Sequence, residues 1–216
     1  MNGVAFLQLA NGMGKTVGIF ILTLLFSLPL GLPVYLGRVS RFPLLSFLMR
    51  VYISIMRGTP LMLQLLVIYF GPYYLFNLQI SMAYRFYAVI IAFSINYAAY
   101  FAEIYRGGFQ SIPHGQKEAA QVLGYSRTQT FLLILLPQMF RRVLPSITNE
   151  VITLVKDTSL AFAIAYTEMF TIAKQLASAQ ASVVPYIAAG VFYYLFNFVV
   201  AMVMERIERA VSHYRI

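Results

Sequence analysis

Five apolar stretches, at about 16–37, 51–76, 84–105, 147–166 and 184–204, divide this chain, and each is long enough to cross a lipid bilayer. A spanning helix needs roughly 20 mostly apolar residues, because no water inside the bilayer satisfies its backbone. In a chain of 216 residues, such stretches leave no space for a soluble domain of ordinary size. The composition agrees: 60% of residues are apolar and 11% charged, whereas soluble domains carry about a quarter charged residues. The expectation is an all-α membrane protein with about five transmembrane helices, a single domain over 1–216.

Details within the stretches refine this picture. Pro29 and Pro33 fall in the first, where neighbouring helices can satisfy the backbone groups they free. Arg57-Gly58-Thr59-Pro60 interrupts the second and predicts a broken or kinked helix near one membrane face. Arg38, Arg41, Arg50 and Arg57 cluster after the first stretch. Arg106, Lys117, Arg127, Arg141 and Arg142 occupy a long polar segment, 106–146, and Arg206, Arg209 and Arg215 lie in the tail. Only Lys15, Arg85 and Lys174 fall on the opposite side. Basic residues accumulate on the cytoplasmic face, so the N-terminus is expected outside and the long loop and C-terminus in the cytoplasm. This placement also accounts for the net charge of +9 without nucleic acid. The chain has no cysteine, which excludes disulfides and thiolate metal sites. His114 and His213 have no metal-ligand company and read as ordinary surface residues.

Asn11-Gly12-Met13-Gly14-Lys15-Thr16 imitates the end of a phosphate-binding loop, but Leu9 stands where the first glycine is required. The segment also opens an apolar span where a soluble helix is needed. If ATP is used, another chain must hold it.

The long loop carries the most specific signal. Pro113 and Gly115 precede a run of helix formers, Gln116 to Leu123, and Gly124 suits the left-handed position that ends a helix. A helix of about two turns is too short to be stable alone and must pack on a partner. Glu118-Ala119-Ala120, three residues, Gly124, nine residues, Ile134, one residue and Leu136-Pro137 follow one another without a gap. This spacing resembles the EAA loop of ABC importer permeases. Arg57-Gly58-Thr59-Pro60, Ile112-Pro113 with Gly115-Gln116, and Lys156-Asp157-Thr158-Ser159-Leu160 look like the polar amino acid branch. The resemblance implies that Glu118, Ala119, Ala120 and Gly124 form a coupling helix seated in a groove of an ATPase subunit. It further implies two ATP-binding subunits holding ATP and Mg, a second permease subunit, an extracytoplasmic substrate-binding protein, and no cofactor or catalytic residue in this chain.

Charges inside the apolar stretches are costly and need a reason. Asn96, Tyr100 and Glu103 share one helical face, as do Glu150, Thr153 and Asp157, with Lys156 beside them. In one reading these groups neutralise each other, Lys156 pairing with Glu103 or Asp157. Three acids against one base leave a surplus, however, which fits a basic amino acid with two cationic groups and one carboxylate. In that reading the acids receive the cations and Lys156 the carboxylate. The alternative is a proton-coupled secondary amino acid transporter using the same carboxylates. The EAA loop argues against it, since a proton-driven carrier needs no ATPase groove. Other expectations are modest: Ala161 and Ala165 as a close helix-packing pair, and 168–180 lying along the outer surface.

Overall fold

The computed structural model describes residues 3–212, so His213 and Arg215 lie outside the described residues. Helix α1, Gly3–Arg38, starts well before the expected 16 because nothing in its apolar first turns breaks the backbone. The phosphate-loop lookalike is therefore continuous helix. Gly12 serves packing instead: a Cβ there would lie 2.8 Å from the Met169 Cα, so the missing side chain lets another segment approach.

The second apolar stretch forms two helices, α2 (Pro43–Gly58) and α3 (Leu61–Phe76), with axes bent by 110°. Thr59 and Pro60 are extended at the break, since proline disfavours a helical residue before it and has no N–H to continue the ladder. The break lies deeper than the expected membrane face. Asn96, near the midpoint of helix α4 (Tyr84–Gln110), donates its amide to the Met56 carbonyl at 2.9 Å.

Helix α4 is the centre of the bundle. Ala88, Val89, Phe93, Tyr97, Phe101 and Tyr105 along it are all essentially buried. Small residues, Ala92, Ala98, Ala99 and Ala102, let α1, α2, α3 and the later helices close around it.

The expected 106–146 loop is mostly helix. Helix α5, His114–Val122, covers the expected coupling segment. A three-residue turn, α6 (Arg127–Gln129), is opened by Ser126 in a reciprocal capping box with Gln129. A π-helical segment, Thr130–Leu135, leads into α7, Leu136–Asp157. The expected fourth span, 147–166, therefore starts too late, because Gln138, Arg141 and Arg142 lower the local apolarity without interrupting the helix. It also changes character after Asp157, where Thr158–Ile164 is a 3-10 helix ending at Ala165 with φ 54°. Ala165 is thus a turn residue, and the Ala161–Ala165 helix-packing pair does not form.

Helix α8, Met169–Gln180, buries one face and exposes Lys174, Gln175 and Ser178 on the other. It packs between α1 and α9 (Val184–Ser212), with Met169 and Ala173 buried completely. Among the described residues, four helical segments are long and apolar enough to span a membrane, and the bent α2–α3 pair is either a fifth, broken span or a re-entrant loop.

Candidate functional site

The break between α2 and α3 exposes carbonyls that water would satisfy elsewhere. Gln64 answers them from α3, donating to the carbonyls of Met56 (3.0 Å) and Thr59 (3.1 Å). Its own amide oxygen accepts from Asn96 at 2.9 Å. Asn96 and Gln64 thereby hold an irregular backbone inside the bundle, which a membrane protein tolerates only where protein groups complete the hydrogen bonds. Asn96 is consumed in that structural task.

The other two residues of its face meet arginines. The Glu103 carboxylate pairs with Arg38, with Arg57 at 3.5 Å and with Arg106 at 3.0 Å. The Arg57 guanidinium also lies 5.4 Å from the centre of the Tyr100 ring, in cation–π contact. The expected Glu103–Lys156 pair is not formed. Lys156 is exposed, and among the described residues it has no ion pair within 4.0 Å, to Glu103 or to Asp157. The arginines are closer because α1, α2 and α4 converge at the end of the bundle that carries α5, whereas Lys156 points away from them.

The α7 face is different. Asp157 accepts a 2.8 Å hydrogen bond from the Tyr97 hydroxyl. Glu150, two turns earlier on the same face, is within electrostatic reach of Asp157 and Arg57 and has no ion pair among the described residues. Thr153, between them, turns its hydroxyl back to the Asn149 carbonyl at 3.0 Å. Tyr97, rather than Asn96, is therefore the α4 residue that reaches Asp157. The site combines Glu150, Asp157, Tyr97, Tyr100 and Arg57.

Sequence reasoning passed over Arg57, Tyr97, Gln64 and Glu168. Arg57 reads as a loop-side charge until the break is known to be deep. Gln64, a lone amide in an apolar run, was a usable signal. So was Glu168, three residues before Thr171 at the start of α8. Its fully buried carboxylate accepts from the Phe170 and Thr171 amides (2.7 Å each), the Thr171 hydroxyl (2.9 Å) and the Tyr193 hydroxyl (3.0 Å). It caps α8 and ties it to α9.

At one end of the bundle, α5 presents its surface. Ala120 is buried against the chain's own π-helical segment, while Glu118, Ala119 and Gly124 are exposed. Val122 and Leu123 are 87% and 73% exposed, an apolar tip with nothing of this chain over it. Gly124, at φ +79°, turns the backbone sharply after the helix. Gln138 of α7 reaches the Gln116 side chain at 3.2 Å, and Arg142 of α7 donates to the Ser111 carbonyl. These two contacts tie α5 and the turn before it to the helix carrying Glu150 and Asp157.

Comparison with known proteins places the chain in a family. The profile of the family described as binding-protein-dependent transport system inner membrane component matches residues 27–213. The L-cystine transport system permease protein TcyB of Bacillus subtilis is 36% identical, with 95% of this chain and 87% of that protein covered. The arginine transport system permease protein ArtQ of Bacillus subtilis is also 36% identical, with coverage of 92% and 90%. The crystal structure of an amino acid ABC transporter with histidines superposes with a TM-score of 0.86 at 27% identity, covering 97% of this chain and 99% of that one. The chain belongs to the binding-protein-dependent transport system inner membrane components, as a permease subunit of the amino acid ABC importer type.

Proposed function

We propose that this chain forms half of the membrane pathway of an ATP-driven importer that prefers basic amino acids. ABC importer permeases work with ATP-binding subunits and a substrate-binding protein. In the assembly proposed here, two permease subunits, identical or paralogous, stand on two ATP-binding subunits, which hold ATP and Mg. Closure of those subunits moves α5 through its exposed Ala119, Val122 and Leu123 surface. The hydrogen bonds from α7 to Gln116 and Ser111 pass that motion to the spans.

The single observation that carries the preference is the contrast in ion pairing. Glu103 is matched by arginines, whereas Glu150 and Asp157 have no basic partner within 4.0 Å among the described residues. Two carboxylates held in a partly buried site favour a ligand that brings two cationic groups. In this reading Glu150 and Asp157 receive the ammonium and the cationic side chain. Tyr100 and Thr153 border them, and the ligand carboxylate goes to Lys156 or Arg57. Glu103 no longer enters the charge match directly; it positions Arg57. The relatives' names include cystine, arginine and octopine, so family membership leaves the side-chain class to the site.

The test is uptake in proteoliposomes holding the permease, its ATP-binding subunit and its binding protein, with ATP inside. Labelled arginine is competed with lysine, histidine, glutamine and glutamate. ATP-dependent uptake displaced only by basic amino acids supports the proposal. Displacement led by glutamine or glutamate keeps the importer and rejects the preference. Uptake driven by a proton gradient without ATP rejects both.

A further inference from the structure

We infer that the chain holds an anionic phospholipid between α1, α2 and α4, at the end of the bundle that carries α5. The inference rests on the membrane placement alone and is independent of substrate preference. Three guanidinium groups, those of Arg50, Arg57 and Arg106, stand within electrostatic reach of a fourth, that of Arg38. Glu103 is the one carboxylate paired with them among the described residues. The cluster therefore carries a surplus of positive charge next to apolar surface, where solvent neutralises it poorly.

Arg50 shows how the surplus is presented. It is exposed, and its guanidinium is held by Ser46 alone, through the side-chain oxygen at 3.1 Å and the carbonyl at 3.3 Å. Ser46 in turn donates to the Arg38 carbonyl at 2.6 Å. Ser46 thus ties the Arg50 guanidinium on α2 to the end of the α1 backbone at Arg38, with guanidinium donors left over for an anion.

Next to this cluster lies an apolar groove of about 250 Å³, lined by Leu30, Val34, Met49, Tyr52, Ile95 and Ala98. The Tyr52 hydroxyl is spent on the Ile95 carbonyl, so nothing polar faces the groove. The groove and the charges are continuous by helical geometry. Leu30, Val34 and Arg38 follow at four-residue spacing along one face of α1, and Ile95, Ala98 and Arg106 share a face of α4. Met49 directly precedes Arg50. Leu30 is 43% exposed, so the groove is reached from the lipid side. An apolar slot that ends in a group of arginines matches an acyl chain joined to a phosphate. A juxtamembrane arginine attracts anionic lipid by an amount that corresponds to about a fivefold change in affinity.

The test uses the assembled transporter, permease with its ATP-binding subunits, released from mixed micelles and examined by native mass spectrometry. Palmitoyl-oleoyl phosphatidylglycerol is compared with the phosphatidylcholine of identical chains. The expected result is preferential retention of phosphatidylglycerol, reduced about fivefold by Arg50→Gln and also reduced by Val34→Trp, which fills the groove. Phosphatidylcholine retention should change little with Arg50→Gln. Equal retention of the two lipids by the unaltered protein overturns the inference without relying on any variant. Full retention of phosphatidylglycerol by Arg50→Gln or by Val34→Trp overturns it as well. Loss of both lipids from a variant whose subunits remain assembled does so too for Arg50→Gln, because charge would then not be what is read.

Discussion

Glu103 on α4 and Glu150 on α7 are both partly buried carboxylates in apolar helices, yet the chain treats them oppositely. Glu103 is surrounded by Arg38, Arg57 and Arg106, with its side chain 11% exposed. Glu150 has no such partner among the described residues and feels Asp157, a like charge, on its own helix face. The cost of taking a carboxylate out of water is met by direct ion pairs at the first, whereas at the second the nearest attraction is that of the more distant Arg57. One acid fastens three helices together, and in the reading proposed above the other meets the substrate.

This contrast makes ordered predictions. Glu103→Ala should be the most damaging change, because it leaves mutually repelling arginines without their counter-ion. A loss of about 3–5 kcal/mol is expected, read as a large drop in the thermal midpoint of the purified complex. If that midpoint stays within a degree of the parent, Glu103 is not the fastening. Glu168→Ala should come next, at about 3 kcal/mol, since it removes the α8 cap and strands the Tyr193 and Thr171 hydroxyls. This variant separates burial from ion pairing, because Glu168 is held by neutral donors only.

Glu150→Gln should leave the midpoint unchanged and raise the KM for arginine uptake by roughly tenfold, about 1.4 kcal/mol. A fall in stability with no change in KM would place Glu150 in the same class as Glu103 and dissolve the contrast. Gly124→Ala is the smallest, costing about 1 kcal/mol because alanine is strained at a positive φ. Its readout is looser coupling, more ATP hydrolysed per amino acid moved, with substrate affinity intact.

The apolar pattern made much of the fold legible. A span in a membrane has to be continuous and long, and the EAA spacing located α5 within two residues of where it lies. Depth was harder. Gly58-Thr59-Pro60 announces a break, but only the Asn96–Met56 hydrogen bond puts it near the middle of α4. Pairing was harder still. Periodicity placed Glu103 and Glu150 on faces, but which cation each meets depends on where α1 and α2 end in space. Lys156 looked the nearer base in sequence, and the arginines were nearer in the folded chain. The role of Glu168 is readable locally as a helix cap, but its tie to Tyr193 on α9 is not, because that partner is distant in sequence.

The interrupted α2–α3 pair has a consequence for how the protein is made. Each half has 16 residues, which as helix reaches about 24 Å, less than the roughly 30 Å hydrocarbon layer. Neither half reaches across by itself, and the break between them, with Arg57 in the last turn of α2, leaves carbonyls that lipid cannot satisfy. Gln64 answers some of these from within the pair, but Asn96 and Glu103 are translated later. The pair therefore gains its full set of polar partners only together with α4, which supplies Asn96 and Glu103.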